Sequence, residues 1–215
     1  MALTAVTLVA AAGGCDRTPL GGADIDLQAL EALGGPTAAG RSLVSDLIDV
    51  ATHLQTEDGA IPDVALPTLA ELFEGAIAAD AETRGAEAGR ALRSAHTALL
   101  DSAWARIGDG GDGDAILEQA RDYQASSAAQ VFGRPTSMAY VFLVGRTLEQ
   151  VNAGLIRLSR QGEDVRRLQR MAASARELER DAREALAGGE TGRALDIGGH
   201  AADLVNTLIR EVHAR

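Results

Sequence analysis

The sequence predicts an all-α protein, an antiparallel helical bundle, and three observations carry that expectation. Aromatic residues make up only 3% of the chain while hydrophobic residues reach 46%. The core must therefore be built largely from Ala, Leu and Val, which suits closely packed helices better than sheets, where β-branched and aromatic side chains dominate. An apolar stripe at Leu43, Val44, Leu47, Ile48, Ala51 and Leu54 repeats with helical period, and Arg41, Ser45, Asp46, Asp49 and Thr52 lie opposite. Leu168, Met171, Ala175, Leu178, Ala182 and Ala185 step by alternating threes and fours, a heptad seam between densely charged positions.

Helices are expected near 24–33, 37–56, 67–83, 86–107, 114–132, 136–160, 163–187 and 190–213. The first stops at Gly34-Gly35, and Pro36-Thr37 starts the second. Pro62 and Pro67 bracket an extended linker, after which Thr68 and Glu71 have the spacing of a capping box. The third and fourth helices also read as one long helix crossing Gly85. The Gly- and Asp-rich run Gly108 to Gly113 breaks the chain, with Asp114 expected as the next N-cap. Gly133-Arg134-Pro135, Gln161-Gly162 and Gly188-Gly189 supply the remaining breaks. Met138 to Val144 is continuously apolar and competes for strand. A single strand would have no pairing partner elsewhere, so this run is read as the buried start of a helix.

The tetrad Gly-Arg-x-Leu occurs at Gly40, Gly89, Gly145 and Gly192, at spacings of 49, 56 and 47 residues. A period of about 50 residues is the size of a helical hairpin and suggests duplicated two-helix units. The glycines would let neighbouring helices approach closely.

Charge narrows the function classes. The net charge is −11, so no general field for phosphates exists and nucleic-acid binding is not expected. The first hundred residues hold 5 Arg against 14 Asp and Glu, whereas residues 141–215 hold 12 against 11. All 20 basic residues are Arg. Without lysine there is no Schiff base and no phosphate-loop ammonium, which removes pyridoxal enzymes, ordinary phosphate-loop NTPases and protein kinases together.

Met1 to Ala12 is uncharged and mostly apolar, and Gly13-Gly14-Cys15 precedes an abrupt change to Asp16-Arg17. The run Ala12-Gly13-Gly14-Cys15 resembles the lipobox of bacterial lipoproteins. In that family the peptide is cut before the cysteine, whose thiol and new amino group carry lipid. Two features depart from the family pattern: no Lys or Arg precedes the apolar stretch, and Ala12 stands where Leu is usual. The resemblance covers residues 1–15 and implies lipidation at Cys15, a tether over 16–23, and an extracytoplasmic address on the bacterial envelope, periplasmic in a cell with two membranes. The helical domain then spans 24–215, with a sub-boundary at the 108–113 loop. The lone cysteine leaves no disulfide partner and no second thiolate for zinc. The apolar run is shorter than the roughly 20 residues that cross a bilayer.

Candidate chemistry is sparse, and no cofactor is expected. Gly108 to Gly113 matches the spacing of a dinucleotide fingerprint, but it follows a helical segment containing Trp104 and places aspartates where a pyrophosphate would sit. Asp109, Asp112 and Asp114 offer an irregular calcium loop, without the alternation of an EF-hand. Among the four histidines, His96 and His200 occupy similar places after two copies of the tetrad and are the candidates for a metal or haem b in a bundle. Asp49 with His53, and His200 with Asp203, each share a helix face. The Arg-rich stretch 157–183 is interleaved with acids and reads as a solvated face. No Gly-x-Ser-x-Gly elbow occurs. These features point to a lipid-anchored helical module that binds a protein or an envelope component. The alternatives are a metal-, haem- or small-ligand-binding bundle, and an enzyme whose carboxylates converge only in three dimensions.

Overall fold

The computed structural model describes residues 25–35, 37–56 and 61–214, so Cys15 and the expected tether lie outside the described residues. Within them the chain is helical with no strand, an all-α bundle. The elements are α1 (Leu27–Ala32), α2 (Ala38–Thr56), α3 (Leu69–Arg84), α4 (Ala86–Gly108), α5 (Asp114–Arg160), α6 (Arg166–Ala187) and α7 (Thr191–His213). None of these helices is long and apolar enough to cross a membrane.

Local chemistry sets the boundaries. Asp26 accepts from the Ala29 amide at 3.1 Å and starts α1 later than expected. The capping box at Thr68 and Glu71 is present in both directions. Gly85 turns the chain with φ +96°, so α3 and α4 are two helices and not one. They fold back on each other: Arg93 pairs with Glu74 at 2.6 Å, and Phe73 lies 5.0 Å from the His96 ring. The expected break at Gly133-Arg134-Pro135 is a kink inside α5. Gly133 adopts φ 78° and ψ 170°, and Pro135 has no amide hydrogen to donate to the Val131 carbonyl.

The core lies between α5, α6 and α7, with α2 and α3 closing one side. Leu143, Leu155, Leu168, Leu208, Val144 and Val151 are fully buried there. The expected seam of α6 faces inward, with Leu168, Ala175, Ala182 and Ala185 buried and Met171 and Leu178 packed at its margin. The apolar run 138–144 is helical as read, but Phe142 points outward and is 41% exposed. At all four tetrad glycines an added methyl group would come within 3 Å of a neighbour. These are the Gly34 carbonyl for Gly40 (2.6 Å), the Ile77 carbonyl for Gly89 (2.7 Å), Glu179 for Gly145 (2.7 Å) and Ser126 for Gly192 (2.9 Å). Close approach is thus a shared property of the tetrad. Gly145 lies in the middle of α5, whereas the other three lie in first turns.

The segment between α2 and α3 is strapped across the bundle by hydrogen bonds to its backbone. Asn206 accepts from the Leu66 amide at 2.8 Å and donates to the Leu66 carbonyl at 2.9 Å. The buried Tyr140 hydroxyl donates to the Pro67 carbonyl at 2.8 Å, and the His213 ring bonds the Pro62 carbonyl at 3.1 Å. A non-helical segment has no ladder for its own amides, so side chains of α5 and α7 supply the partners.

Candidate functional site

The residues singled out from sequence fall in separate surroundings. His96 sits on α4, half-buried against Phe73, which also meets Tyr123 edge-on at 6.1 Å. Burial lowers the His96 pKa below the ordinary imidazole value, and the nearby Glu74 carboxylate opposes that shift. His200 sits on α7, half-exposed, with its ring 3.9 Å from Asp196. Asp203, which shares a helix face with His200, is directed instead to Arg121 at 3.8 Å, and Arg121 also bonds Asp196 at 2.7 Å. A guanidinium from α5 thereby clamps two carboxylates of α7. The Asp49 contribution to its own pair is likewise different: the His53 ring bonds the Asp49 carbonyl at 3.2 Å.

The acidic loop is a helix-capping turn. Asp109 closes α4, and the Asp112 carboxylate accepts the Asp114 amide at 2.9 Å. The N-cap position of α5 is Gly113, without a side-chain bond. Asp112 therefore does the work expected of Asp114, because Asp114 already has helical backbone and its side chain has passed the capping position. No three potential metal ligands come together among the described residues. The Asp46 carboxyl is pushed above the ordinary aspartate value, first by desolvation and then by the charges of Asp49 and Glu71. The Arg-rich face is laced with pairs such as Arg166 with Asp164 at 3.1 Å, Arg180 with Asp181 at 3.0 Å, and Arg167 with Glu211.

Two surface features were not legible in the sequence. The first is the tip of the α4–α5 hairpin. Trp104 is 65% exposed and Ile107 40%, one turn apart on α4. Gly113 packs on Ile107 and on the Ala103 carbonyl, and Leu117, also exposed, follows one turn later on α5. Asp101, Asp109, Asp112, Asp114 and Glu118 lie in the same stretch of chain, residues 101–118, with Arg106 its one cation.

The second is a cleft of about 350 Å³ at the α5 kink, bounded by the α1–α2 turn and the last turn of α3. Asp80, 3% exposed, lines it with both carboxylate oxygens on Arg84, through Nε and, at 2.7 Å, Nη2. The contact raises the Arg84 pKa, first by the hydrogen bond and then by the opposite charge. Leu33, Val131 and Phe132 form the apolar wall, and Thr136 lines the base.

No protein-family model matches the chain, and neither a curated protein nor a solved structure matches it significantly.

Proposed function

We propose that this chain is a lipid-anchored, extracytoplasmic binding module that recognises a protein partner through the tip of its α4–α5 hairpin. The observation that carries the reading is Trp104. It is a large aromatic side chain, 65% exposed, one turn from the exposed Ile107 on α4, and the exposed Leu117 stands in the first turn of α5 across the same hairpin. Tryptophan is enriched among the side chains that dominate binding energy at interfaces, and apolar anchors ringed by polar groups are the usual anatomy of such surfaces. The acidic stretch of chain that carries Trp104 favours a partner that presents an apolar pocket with a basic rim. The address rests on the lipobox resemblance at Cys15.

Both halves of the proposal are testable. Cys15→Ser removes the lipid attachment and releases the protein from membranes; unchanged lipid labelling contradicts the anchor. A photocrosslinking residue at position 104 captures one defined protein in cells, and Ile107→Asp abolishes the capture. The same crosslinker at Arg176, on the opposite charged helix, captures nothing specific. Equal capture from both positions, or none from position 104, contradicts the tip as the recognition surface.

A further inference from the structure

The cleft at the α5 kink combines features that a packing defect does not. Its base holds Thr136, a residue only 5% exposed whose hydroxyl makes no hydrogen bond within the described residues. A neighbouring buried serine, Ser137, does bond back to the helix, donating to the Gly133 carbonyl at 3.1 Å. That hydroxyl opens on the cleft, where it can donate one hydrogen bond to a ligand and accept others. Beside it, Arg84 uses Nε and Nη2 on Asp80 and leaves Nη1 uncommitted, with 61% of its side chain exposed. Asp80 in turn keeps spare lone pairs on both oxygens, since a carboxylate accepts about four hydrogen bonds.

These groups specify a ligand. The formal charges of Asp80 and Arg84 cancel, so a ligand with net charge leaves an uncompensated charge in the cleft, whereas a zwitterion does not. Arg84 Nη1 offers a donor for a carboxylate. Asp80 offers acceptors for an ammonium. Leu33, Val131 and Phe132 offer an apolar wall, and the volume lies at the lower end of the range typical of small-molecule sites. We infer that this cleft binds a free α-amino acid with an aliphatic side chain, its carboxylate on Arg84, its ammonium on Asp80 and its α-substituent against Phe132. Thr136 bonds the charged end of the ligand.

Three probes of one shape test this on the full chain in mild detergent: leucine, 4-methylpentanoate, which lacks the ammonium, and 3-methylbutylamine, which lacks the carboxylate. Titration calorimetry and ligand-observed NMR read the affinities. Leucine binds, and each truncated probe binds at least tenfold more weakly. Thr136→Val, which keeps shape and removes the hydroxyl, weakens leucine about tenfold while the melting temperature stays within a few degrees of the parent. Arg84→Met abolishes leucine binding, and because it strands Asp80, circular dichroism accompanies it. No binding by leucine, valine or isoleucine overturns the inference. So does a truncated probe that matches leucine, or leucine binding unchanged in Thr136→Val. None of these outcomes bears on the hairpin tip, which lies on other residues.

Discussion

Helices α4 and α7 are both 23 residues long, yet α7 buries nine residues and α4 buries two, Gly89 and Ala103. The difference is a matter of neighbours. α7 is packed along both α5 and α6 and meets α3 as well, so Gly198, Gly199, Ala201, Ala202 and Val205 are covered from several directions. Among the described residues α4 packs chiefly on α3 and α5. Its seam of Leu92, His96, Leu99 and Ala103 is correspondingly narrow, and none of it joins the main core. One region specifies the fold, while the other presents a surface on it. Regions with few buried apolar contacts open at free energies below that of global unfolding.

Truncations break this comparison most forcefully. Leu143→Ala, in the fully buried part of α5, is expected to cost about 2–5 kcal/mol in denaturant unfolding, as buried leucines do. Leu100→Ala on α4, half-buried, is expected to cost less than about 1 kcal/mol, near the range of surface substitutions. Equal losses would mean that α4 is as integral as the buried part of α5. Next in size is Asn206→Ala, which leaves both the amide and the carbonyl of Leu66 without their partner. The expected cost is about 1–3 kcal/mol, measured as a lower unfolding midpoint with the slope unchanged.

Acidification sharpens the contrast further. The His96 pKa is lowered in the folded protein, so the unfolded chain binds its proton more readily. Stability from neutral His96 is present above the ordinary imidazole value and is lost as the pH falls from there through the depressed value. Glu74, the facing carboxylate, limits the effect. Amide protection factors in α4, corrected for the intrinsic exchange rate, should therefore fall below about pH 6.5, and His96→Phe should flatten that response. The smallest effect belongs to Asp46, whose raised pKa works in the opposite direction. Its ionised form is disfavoured in the folded state, so it detracts from stability as the pH rises above the ordinary aspartate range. Asp46→Asn should raise the melting temperature by about 1–2 °C at neutral pH and by nothing measurable once the carboxyl is protonated.

The parts of the fold legible in the sequence are those governed by nearby residues. Periodicity and Gly or Pro punctuation place all the helices because both act within a few residues. Thr68 and Glu71 cap α3 as their spacing predicts. The errors arise where one position or one partner decides. Asp112 displaces Asp114 as the capping carboxylate, and Phe142 faces outward from an apolar run that reads as wholly buried. Val50, outside the predicted stripe, is buried because α2 is covered on a broader face than that stripe marks. The candidate sites were hidden for a stronger reason. Asn206 meets Leu66 across 140 positions and Arg121 meets Asp196 across 75, separations that no local pattern encodes. Trp104 is exposed because, among the described residues, α4 packs chiefly on α3 and α5 and leaves that face open, and the cleft exists because α3, the α1–α2 turn and the α5 kink meet. His96 and His200, at offsets of 7 and 8 from their tetrad glycines, lie in different surroundings, one against Phe73 and the other beside Asp196.

Hydrogen exchange followed by mass spectrometry tests the central division most directly. On the full chain near pH 7, peptides covering 90–107 should exchange through local opening, at least tenfold faster than peptides covering 141–155 and 195–209, which should exchange only with global unfolding. Protection of 90–107 equal to that of 195–209 would contradict the account of a rigid bundle carrying a thinly packed recognition hairpin.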